Sequence, residues 1–479
     1  MRVALVTNGI TSTLHASLEL ARRLTDRDHD VVFLSHVDVA ATVETNGFRF
    51  VPLQADREAF DELRAGVAAL RGGSIPARVG AALRLPVTAW RARERTASAR
   101  ELVEQLGAVD PDLLVIDIEA HVAVITAAGM AVPTALTTFL FAVEKRPGVP
   151  PIDSWLRPEQ RAEIRSAWDA VRQRSAAARR RRRWSRRGLV DRFGPVSYAT
   201  TSGVALRAVA RRRRVDLRRC TDTTQWLRPH GYLHVPVLTT NLREIEFGDG
   251  ASPNWHYVGP MVDTSRRDAR IPGDGDRPWD AVIDRRRSDP GRRLVYCSLG
   301  SYWAADTRLL RRIVEVFAQH PDWELVIGLG GRGDPSALEP VPHNVVVLPW
   351  APQVEILASA DAAIVHGGSA SLNECIVAGV PMLVCSTGHL DQNGVAARVG
   401  YHGIGRACDG SSVDTDRIET LLHEVLNDPE IRARVQGLSE SAARPARRMA
   451  VVELLEEIAG SSSARARRHG ESAAGETWT

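Results

Sequence analysis

The sequence predicts two doubly wound α/β domains facing each other across a cleft. Three observations carry this reading. The chain has 479 residues, about three times a typical domain. Short apolar strands alternate with helices of 3.6-residue period, and the alternation starts twice, near Val3 and again near Leu294. Between the two runs, residues 263–278 are rich in Asp, Arg, Gly and Pro and read as a linker. Strand–helix alternation implies a parallel sheet covered by helices, with ligands bound at the carboxyl ends of the strands.

The first domain, residues 1–262, opens with a strand over Val3–Thr7. A helix over Leu14–Leu24 follows, with Leu14, Leu18, Ala21 and Leu24 on one face. Val31–Leu34 is the second strand, and Asp112–Ile116 is another, opening after Asp110-Pro111. Val122–Val143 carries no charge and is long enough to span a bilayer. Gly129 and Pro133 interrupt it, so it reads as a helix ending near Gly129 and a strand starting after Pro133. A basic helical insertion occupies about 157–219, and Trp255–Pro260 is a strand stopped by a turn.

The second domain, residues 279–438, restarts with a strand over Leu294–Leu299 and the turn Gly300-Ser301. A helix over Thr307–Gln319 and strands over Glu324–Gly328, Val345–Leu348, Ala362–Val365 and Met382–Cys385 follow. The last helix runs from about Asp428 to Ile458. Its part over 439–460 stands as a separate C-terminal helix, and the Ser-, Ala- and Arg-rich residues 461–479 read as a disordered tail.

Composition narrows the class. Hydrophobic residues make up 44% and charged residues 25%, as in ordinary soluble enzymes. The five cysteines are scattered with no C-x-x-C pair, which speaks against a disulfide framework or a zinc ribbon and for a reducing cytoplasm. The apolar run after Met1 is too short for a signal peptide. Lys145 is the only lysine, so a Walker A loop is excluded. The net charge of +4 is uneven: residues 157–219 hold 20 Arg against 5 acids. The densest runs are Arg179–Arg183 with Arg186 and Arg187, and Arg211–Arg214. Ile164, Trp168, Val171, Ser175 and Ala178 recur at helical spacing, so the stretch reads as a solvated amphipathic helix. An anionic membrane surface is the second reading, a peripheral contact at its inner face. Nucleic-acid recognition needs more than charge and is not expected.

The chemistry concentrates in Trp350–Gln392. A strand enters the turn His366-Gly367-Gly368-Ser369 and then a helix carrying Ser371 and Glu374. Glycines let backbone approach an anion, and a helix N-terminus offers N–H groups and a favourable dipole, so the junction suits a phosphate. His366 can donate to a phosphate oxygen. Glu374, about two turns on, can accept from ribose hydroxyls, Trp350 offers a face for a base, and Asp391 and Gln392 can grip sugar hydroxyls. Gly328–Gly333 also fits G-x-G-x-x-G, but no long helix follows before Pro335, so it reads as a loop lining the cleft. Asp274 and Asp276 sit in the linker and form no metal site.

This pattern resembles the donor signature of the UDP-glycosyltransferase superfamily (family 1 glycosyltransferases), which has the GT-B fold of two Rossmann-like domains. W-A-P-Q from Trp350, H-G-G-x-x-S-x-x-E from His366, and Asp391-Gln392 occur in order. The second half of the chain, including Asp391–Arg398, is most similar to bacterial natural-product and carotenoid glucosyltransferases. The resemblance implies that Trp350 stacks on the base with Gln353 beside it. Gly300, Ser301, His366, Gly367, Gly368 and Ser371 hold the diphosphate, Glu374 the ribose, and Asp391 and Gln392 the hexose. Plant-type members have Trp at the position of Ser369 and Asn at that of Ala370.

For catalysis the resemblance points to a histidine in the loop after the first strand, where an ungapped alignment puts Thr13. A hydroxyl is a poor general base, while His15, two residues on, titrates in the right range. On a helix that offset turns His15 about 200° from Thr13, so His15 is expected to serve as the base only if this turn is locally rearranged. Asp117 matches the family acid that orients the histidine; without that histidine it is expected to act as the base itself, at the crevice mouth with a pKa raised by desolvation. The function expected is an inverting, metal-independent hexosyltransferase without cofactor. It would move a hexose from UDP-glucose as co-substrate to a hydroxyl of a hydrophobic small molecule. A catalytically silent partner of a glycosyltransferase and a sugar-nucleotide epimerase are the alternatives.

Overall fold

The computed structural model describes residues 1–53, 76, 80, 100–182, 203–222, 231–248, 253–266, 277–300, 306–331 and 333–468. In chain order the first-domain strands are β1 (Arg2–Thr7), β2 (Asp30–Ser35), β3 (Arg49–Pro52), β4 (Leu113–Asp117), β5 (Thr134–Thr138), β6 (Thr221–Asp222), β7 (Gly231–Tyr232), β8 (Val237–Thr239) and β9 (Trp255–Tyr257). Among the described residues all but β6 and β7 join one parallel sheet in the order β3-β2-β1-β4-β5-β8-β9; β6 and β7 pair with each other. The uncharged stretch divides as its Gly and Pro dictate, into the helix His121–Ala127 and β5. No helix among the described residues is long and apolar enough to cross a membrane.

The second sheet contains β10 (Arg293–Ser298), β11 (Trp323–Gly328), β12 (Val345–Leu348), β13 (Ala362–Val365), β14 (Met382–Ser386) and β15 (Gly405–Asp409). Its order is β12-β11-β10-β13-β14-β15, again with parallel pairing throughout. Both sheets are doubly wound, as the alternating pattern requires. Successive side chains point to opposite faces of a strand. Accordingly Val3 and Leu5 of β1 enter one core layer, and Ala4 and Val6 the other. The second of these layers continues into the other domain through Leu294, Tyr296 and Val384.

Polar contacts also join the domains. Asn373 donates to the Thr240 carbonyl and to Asn241 Oδ1, each at 3.1 Å. The helix at the end of the described chain returns to the first domain, where Val451, Val452 and Leu455 pack into the layer of Val3 and Leu5. Arg448 at its start reaches Glu19, which also accepts from Arg23 Nε at 2.7 Å.

Two expectations are corrected. The single helix expected over Asp428–Ile458 is two, Pro429–Ala443 and Pro445–Arg468. Arg444 between them is extended, with ψ 127°. A residue before proline is kept out of the α region, and Pro445 has no N–H to continue the ladder. The second helix runs past residue 461, where the tail was expected to begin; residues 469–479 lie outside the described chain. In the basic insertion the described part of the helix is amphipathic as expected, with Arg165 and Arg172 exposed and the apolar stripe turned inward. Ile164, Trp168 and Val171 are buried against Leu156, and Trp168 Nε1 donates to the Val149 carbonyl at 2.8 Å. Their helix spans Arg161–Arg182; Arg183, Arg186 and Arg187 lie outside the described residues, as do residues 267–276 of the linker.

Candidate active site

Each sheet has a switch point, a strand whose neighbours connect in opposite directions. In the first it is β1, between β2 and β4; in the second it is β10, between β11 and β13. The loops leaving these strands line one cleft of about 1480 Å³ between the domains. Ser298 of β10 and Val365 of β13 are in register, so Gly300 and His366 leave adjacent strand ends side by side.

His366 is held by two glycines. A Cβ on Gly300 would stand 3.0 Å from His366 Nε2, and one on Gly368 would stand 2.5 Å from the same atom. Gly300 and Gly367 also take φ of +95° and +89°, conformations that favour glycine. The imidazole lines the cleft, and burial lowers its pKa to about 4, so it is neutral at physiological pH. The helix Ser369–Ala378 begins here with Gly368 as its N-cap and no side-chain cap, which leaves its first N–H groups to a ligand. Gly379, at φ +68°, ends the helix. Ser301 lies outside the described residues.

A polar chain extends from this turn. Tyr296 OH donates to Gln353 Oε1 at 3.2 Å, and Gln353 Nε2 donates to Ser371 Oγ at 3.4 Å and to Glu374 Oε2. The other Glu374 oxygen accepts from Arg266 Nη1 at 2.6 Å. Arg266, which sequence reasoning missed, sits in the linker over a hundred residues away from Glu374, and no local spacing announces the pair. Trp350 lines the same wall, with Gly331 against its ring: a Cβ there would lie 3.5 Å from Trp350 Cε3. Gly328 and Gly330 line the cleft as well, which is the place expected for that loop.

Asp391 and Gln392 close the far side of the cleft. Asp391 is buried and accepts from Ser369 Oγ at 3.0 Å; burial raises its carboxyl to about 6, and the charge of Glu119 adds to the rise. Gln392 Oε1 accepts from Thr387 N and Oγ1, both at 3.0 Å.

The first domain contributes Ile10, His15, Glu119 and Phe139 to the opposite wall. Thr13 and His15 share the helix Thr11–Thr25 and point apart, as their spacing requires. His15 is the one that lines the cleft, with no rearrangement of its turn. Thr13 is buried, and its hydroxyl donates to Asn8 Oδ1 and to the Ile10 carbonyl, each at 2.9 Å. The expectation for Asp117 needs correction: it is only 3% exposed and is absent from the cleft wall. Its side chain turns behind the first helix into a separate small pocket with Thr13, Leu20 and Val451. Burial, helped by the charge of Glu119, does raise its pKa, to about 7. Asp117 Oδ1 accepts the Glu119 N–H at 2.9 Å, so it holds the loop that carries Glu119. Sequence reasoning missed Glu119; its position two residues past the end of β4 was the available signal.

Comparison with known proteins gives a consistent result. Residues 309–458 match the family described as erythromycin biosynthesis protein CIII-like, C-terminal domain. The oleandomycin glycosyltransferase of Streptomyces antibioticus is 27% identical over 171 residues, 36% of this chain and 40% of that one. The NDP-glycosyltransferase YjiC of Bacillus subtilis (strain 168) is 30% identical over 149 residues, 31% of this chain and 38% of that one. The crystal structure of the glycotransferase of kitacinnamycin superposes with a TM-score of 0.61 at 24% identity, covering 95% of this chain and 98% of that one. Glycosyltransferase VinC in complex with DTDP gives 0.59 at 18% identity, covering 96% of this chain and 100% of that one.

The chain has the GT-B fold of two Rossmann-like domains, and its residues 309–458 match the CIII-like C-terminal domain. Sequence similarity spans about two fifths of the length of the curated relatives it matches, while the GT-B fold extends over nearly the whole chain. In GT-B terms the wall built by Trp350, His366 and Glu374 belongs to the carboxyl-terminal domain. The wall built by Ile10, His15 and Glu119 belongs to the amino-terminal one.

Proposed function

We propose that this chain is an inverting glycosyltransferase that moves a hexose from a nucleotide diphosphate sugar, UDP-glucose in this reading, to a hydroxyl of a hydrophobic natural product. The observation that carries the reading is the uncapped N-terminus of the helix Ser369–Ala378, opening beside neutral His366 into a cleft walled by both domains. A diphosphate leaving group needs hydrogen-bond donors aimed where charge develops. Here they are the helix N–H groups, His366 and Ser371, with no step that calls for a metal. Trp350 and Gln353 would seat the base, Glu374 the ribose, and Asp391 and Gln392 the hexose. Arg266 already engages one oxygen of Glu374, so ribose must share or displace that contact.

A hydrophobic acceptor fits the opposite wall. Ile10 and Phe139 line it, and Leu390 lines the cleft from the second domain and is 53% exposed, unusual for a leucine unless something covers it. Similarity to proteins named oleandomycin glycosyltransferase and, in Streptomyces fradiae, demethyllactenocin mycarosyltransferase supports the same acceptor class. The test is UDP release from UDP-glucose with and without a panel of lipophilic alcohols and phenols. Acceptor-dependent release with a glycosylated product supports the reading. Formation of a free epimerised sugar nucleotide, or UDP binding with no turnover, would replace it with the epimerase or the silent-partner reading.

A further inference from the structure

We propose that Glu119 is the general base that takes the proton of the acceptor hydroxyl, an assignment that rests on the transferase reading above. Three geometric observations carry it. Glu119 stands at the switch point of the first sheet, two residues beyond β4, and its side chain lines the cleft beside Ile10, His15 and Phe139. Asp117 and Thr13, the other groups at this switch point, face the small pocket behind the first helix. The loop is fixed by the Asp117 carboxylate, which accepts the Glu119 N–H at 2.9 Å, so one acid points inward while its neighbour points into the cleft.

The third observation is the position of Glu119 relative to the opposite wall. Glu119 and Asp391 of the second domain, the carboxylate proposed to hold the hexose, both line the cleft, one from each domain. An acceptor oxygen bound at the first domain and the anomeric carbon of a hexose held by Asp391 would meet between them. Asp117, Asp391, Tyr232 and His15 are the titratable groups that couple to Glu119 or share its wall. Burial raises the Glu119 carboxyl, which makes it a stronger proton acceptor than an exposed glutamate.

The step balances within the proposed reaction. The acceptor O–H proton passes to a Glu119 oxygen as the acceptor oxygen bonds to the anomeric carbon. The bond from that carbon to the diphosphate oxygen breaks on the opposite face. Its electron pair leaves on the diphosphate, where the N–H groups of the helix Ser369–Ala378 receive it. The configuration inverts.

A test uses the full chain with UDP-glucose and two acceptors, an aliphatic alcohol and a nitrophenol that is largely ionised at pH 8. An ionised acceptor has no proton to lose, so a missing base affects the two unequally. Glu119→Gln is expected to lower kcat at least about a hundredfold with the alcohol and less than about tenfold with the nitrophenol. UDP affinity by calorimetry should stay within about twofold, because Gln keeps the shape and only the proton acceptor is lost. His15→Gln is measured alongside. Undiminished alcohol transfer by Glu119→Gln, equal losses with both acceptors, or an acidity-dependent loss in His15→Gln instead would each overturn the assignment. A parent protein that binds UDP but transfers to neither acceptor would overturn the transferase reading together with the base. Transfer by the parent with no effect at Glu119 would overturn the base alone.

Discussion

Arg398 of the second domain reaches Glu246 of the first, with its guanidinium between the rings of Phe141 and Phe247, 4.3 Å from each centroid. Arg398 is 1% exposed, and Glu246 also accepts from Arg146 Nη2 at 2.9 Å and from Tyr257. Burial alone would raise the Glu246 carboxyl, but Arg398 and Arg146 outweigh it and hold the pKa down at about 2. The pair therefore fastens the domains at the back of the cleft with a charge that cannot be left alone.

Removing Arg398 leaves buried Glu246 with Arg146 as its remaining cationic partner. Arg398→Met is expected to destabilise the chain by about 3–5 kcal/mol, the usual effect of leaving a buried charge short of its partner. Denaturant unfolding measures this. The double variant Arg398→Met/Glu246→Gln should recover part of the loss; a loss no smaller in the double variant would mean that packing between the two phenylalanines, or the pairing of Glu246 with Arg146, dominates.

The Asp117 carboxyl gives a pH test. Its folded pKa of about 7 lies above its ordinary value of 3.8, mainly through burial. The folded state therefore binds more protons than the unfolded one between those values. Its contribution to stability is present below pH 4 and is lost as pH rises towards 7. At about 1.36 kcal/mol per pKa unit the span is about 4 kcal/mol at most. Asp117→Asn, which does not titrate, should gain stability relative to the parent as pH rises from 4 to 8. Parallel stability curves for the two proteins would contradict the raised pKa. Asn keeps an oxygen for the Glu119 N–H, so its effect on kcat should be smaller than that of Glu119→Gln.

Donor binding should depend on both Glu374 and Gly368. Glu374→Ala removes a charged acceptor and should weaken UDP binding by about 1–3 kcal/mol. Gly368→Ala puts a Cβ where only 2.5 Å separates it from His366 Nε2, so the ring must move. Such overpacking costs about 1–3 kcal/mol, and UDP affinity should fall with it. Calorimetry checks both, and unchanged UDP affinity in either variant would remove that residue from the donor site.

If the diphosphate is neutralised by a helix N-terminus, as proposed, no divalent ion is required. EDTA should therefore leave initial transfer rates within about twofold, against the hundredfold or greater losses that follow removal of a catalytic electrostatic contribution. A large loss restored by magnesium would show that the helix dipole is not sufficient.

By itself the sequence determined the two parallel-sheet domains and the turn from His366 to Ser369. These follow from local causes: apolar periodicity selects strand or helix, and a glycine is needed wherever the backbone turns with φ near +90° or passes against a ring. It also determined that Thr13 and His15 point apart, because a helix turns about 100° per residue. Only the tertiary structure decided which of them meets the cleft, since that depends on the side of the helix Thr11–Thr25 that packs on the sheet. The same holds for Asp117 and Glu119, two residues apart in sequence but sent to opposite sides of one loop. Arg266 on Glu374 and Arg398 on Glu246 join residues more than a hundred positions apart, and no period or motif encodes such pairs. They arise when two separately folded sheets bring their strand ends and linker together, and burial then gives the paired charges their strength.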